Sequence, residues 1–165
     1  MALKDDYLNW FPVSATFGAD ASDLTGTNHN TNAGASEKIA WRIHKIEWHM
    51  DTVMSGVDGA WIKTVLSTRR GLTAIPGLTD MGTIGMFKTV EREGAAGYAY
   101  QEWPVVHDYL PPFVMAGANI TMYAQASVST ASWNSQTVYG RIGYTMVSIA
   151  GDVWQELFQT WNFSN

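Results

Sequence analysis

Asn119-Ile120-Thr121-Met122-Tyr123-Ala124-Gln125-Ala126-Ser127-Val128-Ser129 is the stretch that decides the fold. Ile120, Met122, Ala124, Ala126 and Val128 alternate without a break against Asn119, Thr121, Tyr123, Gln125, Ser127 and Ser129. A period of two places one set on each face of an extended chain, so this is a half-buried strand. Thr137 to Ile149 follows with the same period and apolar residues on both sides: Val138, Ile142, Tyr144 and Met146 on one, Tyr139, Val147 and Ile149 on the other. That pattern predicts a central strand or one covered on both faces, with Gly140 and Gly143 marking a bulge or a close backbone approach.

Working upstream, Ile39 to Val53 is long and rich in Ile and Trp, but Trp41 and Ile43 share one parity and Ile46, Trp48 and Met50 take the other. A change of phase inside one strand needs an extra residue, so a bulge is expected near His44-Lys45. Trp61 to Arg69, Thr83 to Glu91 and Tyr98 to His107 are shorter runs of β-branched and aromatic residues, and Leu8 to Phe17 supplies a first strand. Breakers separate them: Gly18 to Ser36, Ser55 to Gly59, Gly71 to Gly82, Glu93 to Gly97, Tyr109-Leu110-Pro111-Pro112 and Trp133-Asn134-Ser135. Within the first of these, Gly26 to Ser36 is polar and Gly/Asn-rich and is expected to be a mobile loop. Helical signal occurs once, at Asp152 to Trp161, with Asp152 as N-cap and Val153, Trp154, Leu157, Phe158 and Trp161 on one face; a final strand is the competing reading.

About seven or eight strands with no strand-helix alternation predict an all-β chain. The expected fold is an antiparallel β-sandwich, a single jelly roll of about eight strands with a short C-terminal helix. No breaker is long enough for an interdomain linker, so residues 1–165 are read as one domain, with 1–17 as first strand or as an N-terminal arm reaching a neighbour.

Composition narrows the function. Charged residues are 15% of the 165 while aromatics are 13%, with eight Trp and eight Met; an ordinary domain is about 25% charged. Ten Lys plus Arg against fifteen Asp plus Glu give a net charge of −5, and no basic run exceeds Arg69-Arg70, so no direct nucleic-acid binding is expected. The absence of cysteine excludes disulfides, thiolate zinc sites and a cysteine nucleophile. The N-terminal residues lack the pattern of a secretory signal, so synthesis in a cytosol is expected. No window approaches a membrane span.

Chemistry-bearing motifs are sparse. His44 and His49 lie five apart, on opposite faces of an ideal strand unless the bulge restores a common one, and His29 and His107 stand alone. Glu91 with Glu93, Asp51 with Glu47, and Glu102 with Asp108 are carboxylate pairs that read equally well as solvent-face charge. No nucleophile elbow, P-loop or dinucleotide fingerprint occurs. Neither an enzyme nor a cofactor is expected. The aromatics Trp10, Trp61, Trp103, Tyr123, Trp133 and Tyr139 are candidates for exposure, as subunit-interface anchors or as platforms for sugar rings. Trp10, Phe11, Trp61, Trp133, Tyr139, Trp154 and Trp161 are the expected interface residues.

Pro111-Pro112-Phe113-Val114-Met115-Ala116-Gly117-Ala118 leads through a Gly turn into the alternating strand from Asn119, and Val138 to Tyr144 follows. This resembles the late strands of single jelly-roll viral capsid proteins, over about the last third of the chain. By size it is similar to the small major capsid proteins of tailless icosahedral viruses. The resemblance implies a virion subunit, made in the host cytoplasm, that assembles with copies of itself and, where the shell needs one, a second capsid protein. An internal membrane lies beneath some such shells, and a host glycan is a further expected contact. Alternatives are a carbohydrate-binding sandwich using exposed aromatics such as Trp133 and Trp61, a virion receptor-binding or decoration protein, a small cupin-like or glycosidase-like enzyme gathering His44, His49, His107 and Glu47, and a surface-layer or filament subunit.

Overall fold

The phase change at His44 organises the first sheet. The computed structural model describes residues 8–17, 24–31, 38–50, 58–77, 79–80, 82–90, 92–94, 97–99, 105–127 and 136–162. Strand β3 (Ile39–Met50) buries Trp41 and Ile43 before the change and Ile46, Trp48 and Met50 after it. Register against both neighbours shifts between Ile43 and Lys45, which makes His44 the extra residue of a bulge. Those neighbours are β10 (Gln136–Ser148) and β8 (Val105–Met115), and β1 (Asn9–Phe17) pairs with the other side of β10. The antiparallel order is β1-β10-β3-β8. Of residues 1–17, expected as first strand or arm, 9–17 are thus paired over their whole length and 1–7 lie outside the described residues, while β10 lies inside its sheet as its two apolar faces predicted.

The second sheet has the order β2-β9-β4-β5, from β2 (Thr25–Asn30), β9 (Asn119–Ala126), β4 (Trp61–Ser67) and β5 (Thr83–Val90). A small hairpin, β6 (Arg92–Gly94) with β7 (Gly97–Ala99), stands apart from both. Eight strands that weave between the two sheets in this order form the double Greek key of a jelly roll. The fold is therefore an antiparallel β-sandwich. Its core fills the space between the sheets with Ile43, Ile46 and Trp48 facing Ile62, Leu66, Ile120 and Met122.

Four expectations are corrected. The stretch from Gly26, read as a mobile loop, carries most of β2: Thr25, Thr27 and His29 turn inward along an edge strand that has no apolar residue to betray it. Tyr109-Leu110-Pro111-Pro112, read as a breaker, lies within β8, where the partners jump from Ile43↔Phe113 to Lys45↔Asp108. Both prolines fall between the paired residues Asp108 and Phe113, where no partner on β3 is registered, and among the described residues β8 has no strand on its other side, so neither interrupts a ladder. The run from Tyr98 to His107 is accordingly divided between β7 and the start of β8. Strand β9, read as half-buried, is buried on both faces from Ile120 to Ala124.

One side chain ties the sheets at each flank. On the β1/β2 side, His29 Nε2 lies 3.2 Å from Ser14 N and 3.0 Å from Ser14 O, the tautomer deciding which bond forms. On the β5/β8 side, Tyr109 donates its hydroxyl to Ile84 O at 2.9 Å, and burial pushes the Tyr109 pKa up to about 12.

The predicted helix is α1 (Gly151–Asn162). Its first bond runs from Trp154 N to Ala150 O at 2.8 Å, so Ala150 holds the N-cap place expected of Asp152. Asp152 sits in the first turn, where its charge complements the helix dipole. Trp154 is buried against Ala40 and Ala116, with Val114, Val147, Ile149 and Leu157 around them, whereas Val153 of the same expected face is exposed. No described helix is long and apolar enough to cross a membrane.

Candidate functional site on the outer face of the first sheet

Helix α1 covers one end of the outer face of β1-β10-β3-β8, against Ala40 and Val147. Towards the other end three registered rows cross the strands: Ser14-Tyr139-His49, Pro12-Arg141-Glu47-Val106, and Trp10-Gly143-Lys45-Asp108. Strict alternation in β1 and β10, and in β3 beyond the bulge, turns these side chains outward while Val13, Ile142, Ile46 and Trp48 turn into the core. Trp10 and Tyr139, both expected at an interface, are about two-fifths exposed here.

Glu47 is the hub of the face. Its side chain is only 11% exposed, Lys45 Nζ is 3.2 Å from Oε1, and Arg141 donates from Nε to Oε2 at 2.5 Å. Burial alone would raise the carboxyl pKa, but the hydrogen bonds and charges of Arg141 and Lys45 outweigh it and hold Glu47 below its ordinary value. The same two cations flank the Trp10 ring, Arg141 Cζ at 4.4 Å and Lys45 Nζ at 4.9 Å from its centroid. Gly143 makes room for that ring, since a Cβ there would come within 3.3 Å of it and 3.1 Å of Lys45 Cγ.

Beside this network lies a cavity of about 520 Å³ around Gly140, lined by Pro12, Val13, Ser14, His29, Glu47, Trp48, His49, Tyr139 and Arg141. Its volume falls within the range of small-molecule sites. The His49 and Tyr139 rings are 6.3 Å apart at its edge. Pro12, Ser14 and His29 carried no signal in the sequence, and His29 fell in the stretch read as a loop.

The remaining candidates are dispersed. Phe11 points inward, edge-on to Trp41 at 5.0 Å, and Trp154 is buried beneath α1, so both pack within the chain. Trp61 is half-buried on the outer face of the other sheet, with Lys88 Nζ 5.1 Å from its ring. Tyr123, a candidate for exposure, is buried: it donates to Arg69 O at 2.9 Å and accepts from Leu72 N at 3.3 Å. Trp161 lies in the last turn of α1, and its side chain, like Trp103 and Trp133, falls outside the described residues. So do Asp51, Glu91 and Glu102 of the carboxylate pairs, and the Glu93 side chain.

The enzyme alternative required His44, His49, His107 and Glu47 in one pocket, and the structure separates them. His107 turns inward, its Nδ1 3.4 Å from the donating Trp48 Nε1. His44 Nε2 is 3.0 Å from Thr145 Oγ1 at the bulge. Only Glu47 and His49 border the cavity. Among the described residues no three His, Asp or Glu side chains are grouped to hold a metal ion. In comparisons with known proteins, the chain matches no family model and no curated relative.

Proposed function

We propose that the protein is a structural subunit of a virion, assembling with copies of itself into an icosahedral shell. The observation that carries this reading is the strand order, β1-β10-β3-β8 facing β2-β9-β4-β5, which is the jelly roll implied by the resemblance to viral capsid proteins. The surface supports it. A shell subunit must bury several of its sides against neighbours, so those sides should carry apolar and uncharged side chains. Leu110 is 91% exposed at the β8 rim, and Val106, Met146 and Val153 are nearly half exposed, in a chain only 15% charged. Cohesion in such a shell comes from many modest contacts summed over the assembly.

The test is the mass of the purified native protein by light scattering, with negative-stain imaging of the same fraction. A monodisperse multi-subunit particle or closed shell is expected. A strict monomer across protein concentration and ionic strength, alone and with the other structural proteins of its source, overturns the reading.

A further inference from the structure

We propose that the cavity bounded by Pro12, Glu47, His49, Tyr139 and Arg141 binds a neutral pyranose sugar, its ring resting on Tyr139 and its hydroxyls shared by Glu47 and Arg141. The site goes beyond the coat reading and does not depend on it.

Three observations carry it. The cavity, about 520 Å³, is large enough for a sugar ring or two. Its wall joins the Tyr139 ring, two-fifths exposed, to the ring of Pro12, and the C–H face of a pyranose is the apolar surface that such rings accommodate. Its polar groups suit vicinal hydroxyls, which donate and accept at once: Glu47 supplies a planar acceptor and Arg141 a planar donor, joined by the single 2.5 Å bond from Nε to Oε2. That bond also sets the ligand's charge. Glu47 and Arg141 neutralise each other in the wall, and Lys45, the second cation on Glu47, does not line the cavity, so neither a phosphate nor an acidic sugar meets an uncompensated cation in the lining pair. The pair is fixed before any ligand arrives, because Lys45 holds the other oxygen of Glu47 at 3.2 Å, so little ordering remains to be done on binding.

The experiment titrates the full chain, in unassembled form, with lactose, maltose and cellobiose, followed by saturation-transfer difference NMR. At least one is expected to saturate with a Kd of about 1 mM or tighter. Tyr139→Ala and Glu47→Gln each weaken that binding about ten-fold or more, while Trp61→Ala, on the opposite outer face, leaves it within about two-fold. Melting curves of the variants establish that they are folded. Failure of all three sugars to saturate, or binding that Tyr139→Ala leaves unchanged, overturns the site. A chain that binds sugar yet never assembles keeps this site and removes the coat reading; a chain that assembles and binds none does the reverse.

Discussion

Tyr123 on one outer face of the sandwich and Trp10 with Tyr139 on the other are treated in opposite ways. On β2-β9-β4-β5, Tyr123 is 2% exposed and Val65 is fully buried although both turn away from the core, and the segment after β4 binds the tyrosine hydroxyl through Arg69 O and Leu72 N. Asp80 pins that segment through a 2.8 Å ion pair with Arg69. On β1-β10-β3-β8, Trp10 and Tyr139 keep about two-fifths of their surface in contact with solvent, and charged or hydrogen-bonding groups stand beside them. Over Tyr123 one face is closed by the chain's own loop, although Trp61 on the same face has Lys88 beside its ring, while the other face, beyond the end that α1 covers, is finished with a charge network and left open. An apolar ring outside the core is thus either roofed by its own backbone or dressed with polar neighbours, and only the second kind can meet another molecule.

The contrast can be broken most forcefully at Tyr123. Tyr123→Ala is expected to cost about 3–5 kcal/mol in denaturant unfolding, because it empties a closed site and frees two loop bonds; a loss below about 1 kcal/mol would mean the roof is not built on that ring. Gly26 comes next. A Cβ there would lie 2.7 Å from the Tyr123 ring, so Gly26→Val should destabilise by about 1–3 kcal/mol by the same assay.

On the open face the expected effects are smaller. Glu47→Gln should cost about 1 kcal/mol at neutral pH, since Arg141 is more than half exposed and water screens part of the pair. Its pH signature is sharper. The folded pKa of Glu47 lies below the ordinary 4.5, so its contribution is complete above that value and vanishes as pH falls through the folded pKa. Acid titration of stability should therefore be shallower in Glu47→Gln than in the parent. Smallest of all, Tyr139→Ala should change stability by less than about 0.5 kcal/mol, whatever it does to sugar binding.

What could be read in the sequence followed the periodicity. The parity switch between Ile43 and Ile46 located the His44 bulge, and the alternation of Ile120 to Ala126 located β9, because both are core packing written along a single strand. What could not be read depended on a second segment. Thr25-Gly26-Thr27-Asn28-His29-Asn30 has no apolar residue, and its place is set by β9 alongside and by Ser14 across the flank. Tyr123 had the parity of a surface residue, and nothing near it in sequence announced a roof arriving from Arg69 to Leu72. At the candidate site the sequence singled out Trp10 and Tyr139, named Glu47 and His49 together only as part of an enzyme pocket with His44 and His107, and did not connect Arg141 with any of them. Glu47, Arg141 and His49 meet there only through the pairing of β10 with β3.

The bonds from His29 to Ser14 and from Tyr109 to Ile84 have a consequence for how copies of this chain treat one another. Free strand edges are templates, and a sandwich with bare flanks invites end-to-end β-pairing that has no natural stopping point. At Ser14 the edge-facing amide and carbonyl lie against an imidazole, and at Ile84 the carbonyl is held by a phenol. A foreign strand arriving at either place must first displace a side chain that also fastens the two sheets together. Strand addition is obstructed at Ser14 and Ile84 by the same bonds that close the sandwich, so at those two places a contact made without opening it falls to side chains.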